Sequence, residues 1–254
     1  MGSTPTGGNF MAKTRLPDKE YVWSPELAYA VGLLVTDGCL SNDGRHIIFR
    51  SCDIDQIEAL RLCLHIQTTI ESPRYEVEHG QRVCYRLQIG DVQLYRWLLR
   101  IGLFPKKSYT IGPIAVPDEF FRDFLRGHLD GDGMIVTYRD SYNVFKNSAY
   151  IYTRLFVRFI SASEHHMVWM RSVITRLLQI KGDLSSSRGP KSTVPLWSLK
   201  FMKRESIKLL DWIYYDPYIP YLERKRKKAE GALNAIKKIN RKPYTKKIST
   251  QTTF

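Results

Sequence analysis

The sequence predicts an α+β fold composed of two related halves, and three observations support this prediction. A nine-residue motif occurs twice, at 30–38 and at 125–133. The same order of strand-like and helix-like segments follows each copy, which indicates a duplicated unit. The chain is also strongly basic: 39 Lys and Arg stand against 25 Asp and Glu, a formal charge of +14 in 254 residues. Such a charge indicates a polyanionic partner.

Composition excludes several protein classes. Hydrophobic residues make up 43% of the chain and aromatic residues 12%, which is enough for a folded core. The longest apolar stretch, 27–35, is far shorter than the roughly 20 residues of a membrane-spanning helix, so we expect no transmembrane segment. No secretory pattern begins the chain, and the cysteines lack paired spacing. We therefore expect an intracellular, cytoplasmic protein. We also expect its four cysteines to be reduced, namely Cys39, Cys52, Cys63 and Cys84.

The repeated motif reads AVGLLVTDG in the first copy and LRGHLDGDG in the second. Gly32 and Gly127 occupy its third position, in the middle of a predicted helix. A mid-helix glycine costs roughly 1 kcal/mol relative to alanine, and close packing of two helix backbones is a reason to accept that cost. We therefore expect the two motif helices to pack against each other as a pseudo-twofold pair.

Each motif ends in an Asp-Gly pair. We expect Gly38 and Gly133 to adopt the left-handed conformation after the last helical turn. The pairing of the helices would then place Asp37 and Asp132 side by side, where their charges repel unless a cation neutralises them. Mg²⁺ suits such a site because it takes a few carboxylates together with water and phosphate oxygens. An ordinary helix cap explains one Asp-Gly pair, but less readily a duplicated one.

The elements after each motif follow from apolar periodicity. The first copy precedes a strand at 45–51, a helix at 53–66, strands near Arg74 and at 83–89, and a helix at 91–101. The second precedes strands at 135–141 and 150–161, a helix at 163–180, strands near Leu184 and at 194–201, and a helix at 204–214. Alternation gives each sheet one apolar and one basic face.

These elements define the expected domain organisation. It comprises a flexible N-terminal tail at 1–23, a first half at 24–103, a linker at 104–116, a second half at 117–216, and a basic C-terminal helix and tail at 217–254. Between 221 and 247 the chain holds eleven Lys or Arg against two Glu. Taken alone, this segment fits a solvated helix as well as a nucleic-acid contact.

The two motifs and the order of the elements between them resemble those of the LAGLIDADG homing endonucleases in their single-chain, two-motif form. The resemblance covers roughly 24–232. The resemblance implies two αββαββα halves, curved antiparallel sheets in the DNA major groove, and a central two-helix interface. It also implies a monomer that uses Mg²⁺ to cut both strands of a duplex target of about two helical turns, or about 20 base pairs.

The resemblance assigns roles to several residues. Asp37 and Asp132 end the motifs and are the implied metal ligands, with Asp130 as a lower-ranked alternative. Lys200 and Gln88 are the implied catalytic neighbours of the metals, although Lys200 fits a phosphate contact or plain surface charge equally well. A glutamine that the family often carries after the second strand has no clear counterpart near Cys52 or Ala162.

DNA contacts divide into base reading and phosphate contacts. Base reading is expected from outward-facing arginines, because Arg suits guanine in the major groove: Arg45, Arg50, Arg74, Arg82, Arg86, Arg154, Arg158 and Arg188. Phosphate contacts are expected from Lys106, Lys107 and 224–228, which includes Lys227. Two alternatives remain. One is a non-cleaving DNA- or RNA-binding regulator or intron-splicing maturase on the same scaffold, and the other is a basic RNA-binding protein of separate origin. The presence of both acids favours the nuclease.

Overall fold

The computed structural model describes residues 20–72, 83–142, 145, 152–189 and 193–240. Most of the expected N-terminal tail, Arg74 and Arg82 lie outside these residues. The first half contains α1 (Pro25–Asp37), β1 (Gly38–Leu40), β2 (His46–Ser51), α2 (Ile54–Cys63), β3 (Ile70–Glu71), β4 (Tyr85–Gly90) and α3 (Val92–Arg100). The second contains α4 (Phe121–Gly131), β5 (Met134–Asp140), β6 (Tyr152–Ser161), α5 (Glu164–Leu178), β7 (Asp183–Ser187), β8 (Leu196–Met202) and α6 (Lys203–Ile213). A last helix, α7, spans Glu223–Asn240.

The strands form two antiparallel sheets of four strands each. Their orders, β1-β2-β4-β3 and β5-β6-β8-β7, are the same arrangement written twice. Helix starts follow from capping residues: the Ser24 hydroxyl accepts from the Leu27 amide ahead of α1, and the Asp91 carboxylate accepts from the amides of Gln93 and Leu94 ahead of α3. The predicted α+β fold with two αββαββα halves is confirmed.

Each sheet buries one face against its helices. In β6, Leu155, Val157 and Phe159 are buried while Arg154 and Arg158 lie on the opposite face, as the alternation predicts. In the first half Leu87 and Ile89 are likewise buried. The alternation over 83–89 also predicts a core position for Val83, but this residue is exposed because it precedes Tyr85, the first paired residue of β4.

The motif helices α1 and α4 pack backbone against backbone. A Cβ atom on Gly32 would lie 2.2 Å from the Phe124 carbonyl oxygen, and one on Gly127 would lie 2.1 Å from the Tyr29 carbonyl oxygen. No side chain fits at those distances. The close helix approach that the two glycines predict is therefore confirmed.

The predicted conformation of the motif-ending glycines is wrong. Gly38 is extended, with φ −83° and ψ 152°, and Gly133 also lacks a positive φ. The chain runs from α1 directly into β1, and from α4 into β5 through Asp132 and Gly133, in both cases without a left-handed turn. Glycine is needed there for space, because a Cβ on Gly38 would lie 2.6 Å from the Leu34 carbonyl oxygen and one on Gly133 would lie 2.7 Å from that of Leu129.

The prediction of four reduced cysteines is wrong for one pair. Cys52 and Cys84 form a disulfide, while Cys39 and Cys63 are free. Ser51 and Tyr85 are paired residues of β2 and β4, so the cysteine after one strand meets the cysteine before the other. Among the described helices none has both the length and the apolar character that a membrane crossing requires.

Candidate active site at the paired helix ends

The pairing of α1 and α4 brings the two motif aspartates together. Asp37 is the last residue of α1, and Asp132 directly follows α4. A Cβ atom on Gly131 would lie 2.9 Å from Asp37 Oδ2, so the backbone of the second motif contacts the carboxylate of the first. Burial and then the charge of Asp37 raise the pKa of Asp132 to about 6. The two carboxylates thus share one electrostatic environment.

Asp37 receives two side-chain hydrogen bonds. Gln56 Nε2 donates to its Oδ2 at 2.8 Å, and Thr36 Oγ1 donates to the same oxygen at 3.1 Å. Gln56 is itself buried and accepts from the Ser51 hydroxyl at 2.7 Å. Burial raises the pKa of Asp37, while these hydrogen bonds and the charge of Lys107 oppose that rise. Gln56 lies on α2, four residues beyond Cys52, near which the family resemblance implies a glutamine.

One buried lysine faces the end of each motif. Lys107 is only 6% exposed and donates to the Gly38 carbonyl, while Lys225 is 8% exposed and donates to the Gly133 carbonyl and, at 2.9 Å, to that of Leu129. Burial lowers the pKa of Lys107, and it lowers the pKa of Lys225 to about 8, against the favourable charges of the nearby acids. Each lysine follows the last helix of its half, so the two hold corresponding places.

The prediction that Lys107 and Lys225 lie at the surface and contact DNA phosphates is therefore wrong, because both side chains are buried. Both side chains turn inward because the segments after α3 and α6 run back across the motif ends. There each lysine donates to a backbone carbonyl oxygen and lies near the motif carboxylates. Lys106 and Lys227 remain exposed. A lysine-rich sequence alone does not reveal which member points inward.

No protein-family model matches this chain, and no curated protein matches it by sequence. Solved structures do match. I-AabMI, a LAGLIDADG meganuclease bound to uncleaved DNA, aligns over 86% of this chain and 92% of its own, at 13% identity and a TM-score of 0.56. The homing endonuclease I-DmoI, solved with DNA and Ca, aligns over 80% and 96%, at 12% identity and a TM-score of 0.50. The chain has the fold of the single-chain LAGLIDADG homing endonucleases. Full-length WhiA from Thermatoga maritima also matches, at 14% identity and a TM-score of 0.48, and this chain spans 66% of its length.

Within this LAGLIDADG fold, Lys200 and Gln88 occupy corresponding places. Across three neighbouring strands, the paired residues are Met134, Arg158 and Lys200 in one sheet and Cys39, Ile48 and Gln88 in the other. Each lies two strand spacings, about 10 Å, from the strand that follows its motif. Lys200 Nζ sits 4.4 Å from the centre of the Phe156 ring, and Gln88 accepts from Arg86. In the described residues neither hydrogen-bonds to a motif carboxylate, so their catalytic role stays a prediction.

Asp130, the alternative ligand, is buried inside the LAGLIDADG interface. Its Oδ2 accepts from the Tyr29 hydroxyl and from the Leu222 amide, both at 2.8 Å. Burial raises its pKa to about 6. These contacts tie α4 to α1 and to the segment before α7, which favours a structural role over a metal ligand.

The expected base-reading residues are distributed over both sheets. Arg86 pairs with Glu71 at 2.8 Å and Arg154 with Asp140 at 2.7 Å, whereas Arg158 is half-buried and contacts Met134 Sδ at 2.9 Å. The remaining described positions are exposed, and these are Arg45, Arg50 and Arg188 in the sheets and their connections and Lys227 on α7. The sheets therefore present arginines, and two of them, Arg86 and Arg154, have acidic partners that DNA phosphates or bases would have to replace.

The donor set at the helix ends fits a divalent cation of the Mg²⁺ kind. Among the described residues no group of three or more His, Cys, Asp or Glu side chains forms a full protein cage. Mg²⁺ does not need one, since it is held by one or two carboxylates plus water and phosphate oxygens. Two adjacent carboxylates with raised pKa values gain from such a cation, which relieves their mutual repulsion.

Proposed function

We propose that this chain is a Mg²⁺-dependent DNA endonuclease that acts as a monomer and makes a double-strand break in a duplex target of about 20 base pairs. The observation that carries the proposal is the pair of carboxylates, Asp37 and Asp132, at the contacting ends of α1 and α4, with a buried lysine beside each. The two four-stranded sheets extend from this centre. The similar structures solved with DNA support a duplex as the ligand.

Asp37 and Asp132 would hold the metal. When bound, Mg²⁺ supplies a Lewis acid that polarises a phosphate oxygen and makes a coordinated water a better nucleophile. Lys107 and Lys225 keep positive charge next to the carboxylates and would screen the charge that develops on the phosphate. This role, first assigned to Lys200 and Gln88, suits the two buried lysines better because they contact the motif ends.

The sheets would lie along the major groove and read bases through outward arginines such as Arg86 and Arg154. Exposed lysines outside the sheets, including Lys106 and Lys227, would contact phosphates and set the position of the chain without reading sequence. Two sheets in tandem explain a target that spans two helical turns.

The test is incubation of the full chain with Mg²⁺ and a randomised duplex library, followed by sequencing of the cut ends. Asp37→Asn and Asp132→Asn are each expected to abolish double-strand cleavage while DNA binding persists. Asp55→Asn makes the same chemical change at an exposed position of α2 and is expected to cut normally. Bound but uncut duplex with the unmodified chain would favour the non-cleaving regulator instead.

A further inference from the structure

The candidate site has two sides, an Asp37 centre in the first half and an Asp132 centre in the second, which share a backbone plan but differ in their side chains. The correspondence is set by local geometry. Ser51 Oγ accepts from the Asp53 amide at 3.0 Å, and Ser161 Oγ accepts from the Ser163 amide at 3.1 Å. In each half the next helix, α2 or α5, begins three residues after that serine. Two residues further on, Gln56 therefore holds the place in the first half that His166 holds in the second.

The Asp37 carboxylate is held by the side-chain amide of Gln56, which is itself held by Ser51. Gln56 donates to Asp37 Oδ2 at 2.8 Å while its own oxygen accepts from Ser51 Oγ at 2.7 Å. Thr36 Oγ1 lies 3.1 Å from the same oxygen and shares its one proton between that oxygen and the Leu33 carbonyl oxygen at 2.9 Å. The Ser51–Gln56–Asp37 chain of hydrogen bonds fixes the carboxylate before any ligand arrives.

Asp132 has neither of these donors. Gly131 stands at the motif position of Thr36 and offers no hydroxyl. His166 turns away: its Nδ1 lies 2.9 Å from the Gly112 carbonyl oxygen, and its ring stacks on His128 at 5.3 Å. No side chain of the described residues donates to the Asp132 carboxylate. This carboxylate has to be oriented when its ligand binds.

We infer that the two DNA strands are cut in a fixed order, with Gln56 acting as a positioning residue that readies the Asp37 centre first. The inference rests on the proposed endonuclease function. A carboxylate already held in one orientation loses less conformational freedom on binding a cation than a free one does. The strand served by Asp37 is therefore cut before the strand served by Asp132.

The first test is a time course on a selected target with a different label on each strand. The unmodified chain is expected to give a nicked intermediate in which the same strand is always cut. Gln56→Met keeps the length of the side chain but removes the donor. It is expected to slow that strand about tenfold or more and to leave the other strand within about twofold, the effect expected for loss of one hydrogen bond to a charged group.

Ser51→Ala and Ser161→Ala form a matched pair. Ser51 anchors Gln56, whereas the second half has no glutamine for Ser161 to anchor. Ser51→Ala is expected to slow the first-cut strand selectively, and Ser161→Ala is expected to leave the strand order unchanged. Equal slowing of both strands by Gln56→Met or Ser51→Ala would reveal a merely structural role and overturn the inference.

A second test does not depend on cleavage. Sub-stoichiometric Mn²⁺ is added to the full chain, and paramagnetic broadening of the aspartate carboxyl carbon signals is followed by NMR. The signal of Asp37 is expected to broaden before that of Asp132, and Gln56→Met is expected to remove this order. Simultaneous broadening in the unmodified chain, or Asp132 broadening first, would overturn the inference.

The outcomes separate the inference from the function on which it rests. If both strands are cut together without a nicked intermediate, the endonuclease proposal stands and the fixed order is wrong. If no strand is cut with any library and Mg²⁺, the endonuclease proposal fails and the inference fails with it.

Discussion

Asp37 and Gly131 are in such close contact that position 131 has no room for a side chain. A Cβ atom there would lie 2.9 Å from Asp37 Oδ2 and 2.0 Å from Thr36 Oγ1. We predict that Gly131→Ala displaces the Asp37 carboxylate and costs about 1–3 kcal/mol of unfolding free energy, as overpacking of a core does. Urea unfolding measures the stability, and a cleavage assay measures the loss at the candidate centre.

Thr36 supplies the control for this prediction. The two positions correspond in the two motifs, so Thr36→Gly combined with Gly131→Ala exchanges the small residue between the helices. The double variant is expected to recover part of the lost stability, less the cost of about 0.3 kcal/mol by which glycine is less favourable than threonine in a helix. If the second change brings no recovery, the clash is not the cause.

Gly127 is the glycine of the α1–α4 contact whose Cβ position lies nearest to a backbone atom of the facing helix. Gly127→Ala sets a methyl group 2.1 Å from the Tyr29 carbonyl oxygen, and backbone atoms cannot rotate away. We predict a loss of several kcal/mol in unfolding free energy, or failure to fold, because the whole helix pair must separate. Gly231→Ala on α7 is the matched control, since nothing lies within 4 Å of its Cβ position. That change is expected to be neutral or to stabilise by up to about 1 kcal/mol, and unfolding by urea compares the two.

The sequence was sufficient to predict the helix pair because a backbone contact demands the absence of a side chain, and this appears directly as Gly32 and Gly127. The sheet faces were equally accessible, since alternation marks which residues enter the core. The Cys52–Cys84 pair was not, because alternation gives the face of a residue but not the register that opposes β2 to β4.

The buried polar residues Lys107 and Gln56 of the candidate site were not predicted, because the sequence pattern does not show which way their side chains point. Lys107 points inward directly after Lys106, whose backbone is left-handed with φ 57°, and two consecutive lysines in a sequence do not indicate such a turn. Gln56 occupies a buried position of α2 that a periodicity argument assigns to an apolar residue. A polar residue on the buried face of a short helix is the one signal that was available.

Lys107→Met tests the buried lysines. Removal of the Lys107 ammonium group leaves the Gly38 carbonyl without its donor and the carboxylates without a neighbouring positive charge. We predict that cleavage falls at least about tenfold while DNA affinity changes little, because the side chain is buried. The exposed neighbour provides the comparison: Lys106→Met is expected to keep full cleavage and to weaken binding slightly. A similar loss of cleavage in both variants would contradict the assignment.

Arg86→Ala and Lys227→Ala test the division between base and phosphate contacts. Arg86 lies on the outward face of β4, so its loss is expected to relax base preference at one target position by about 1–3 kcal/mol. Lys227 is an exposed α7 residue, and its loss is expected to weaken binding to all sequences alike and to flatten the salt dependence. Affinity selection with sequencing at several salt concentrations checks both. The reverse pattern would refute the division.

His128 and His166 make stability sensitive to acid. Burial lowers the pKa of His128 to about 3 and that of His166 to about 4, from an ordinary value of 6.5. Their neutral forms therefore stabilise the fold fully above pH 6.5, and this contribution is lost as the pH falls toward 4 for His166 and toward 3 for His128. Asp130 and Asp132, whose pKa values are raised to about 6, act with the opposite sign between pH 6 and 4.

A difference measurement isolates the histidine effect, because the aspartates are common to both proteins. His128→Phe places an apolar ring in a pocket already lined by aromatic rings. Relative to the unmodified chain, the variant is expected to gain about 2 kcal/mol of unfolding free energy between pH 6.5 and pH 4.5, at about 1.4 kcal/mol per pH unit once the unfolded histidine is protonated. Urea unfolding at several pH values gives this difference. A difference that stays constant with pH would show that His128 is not held neutral by its burial.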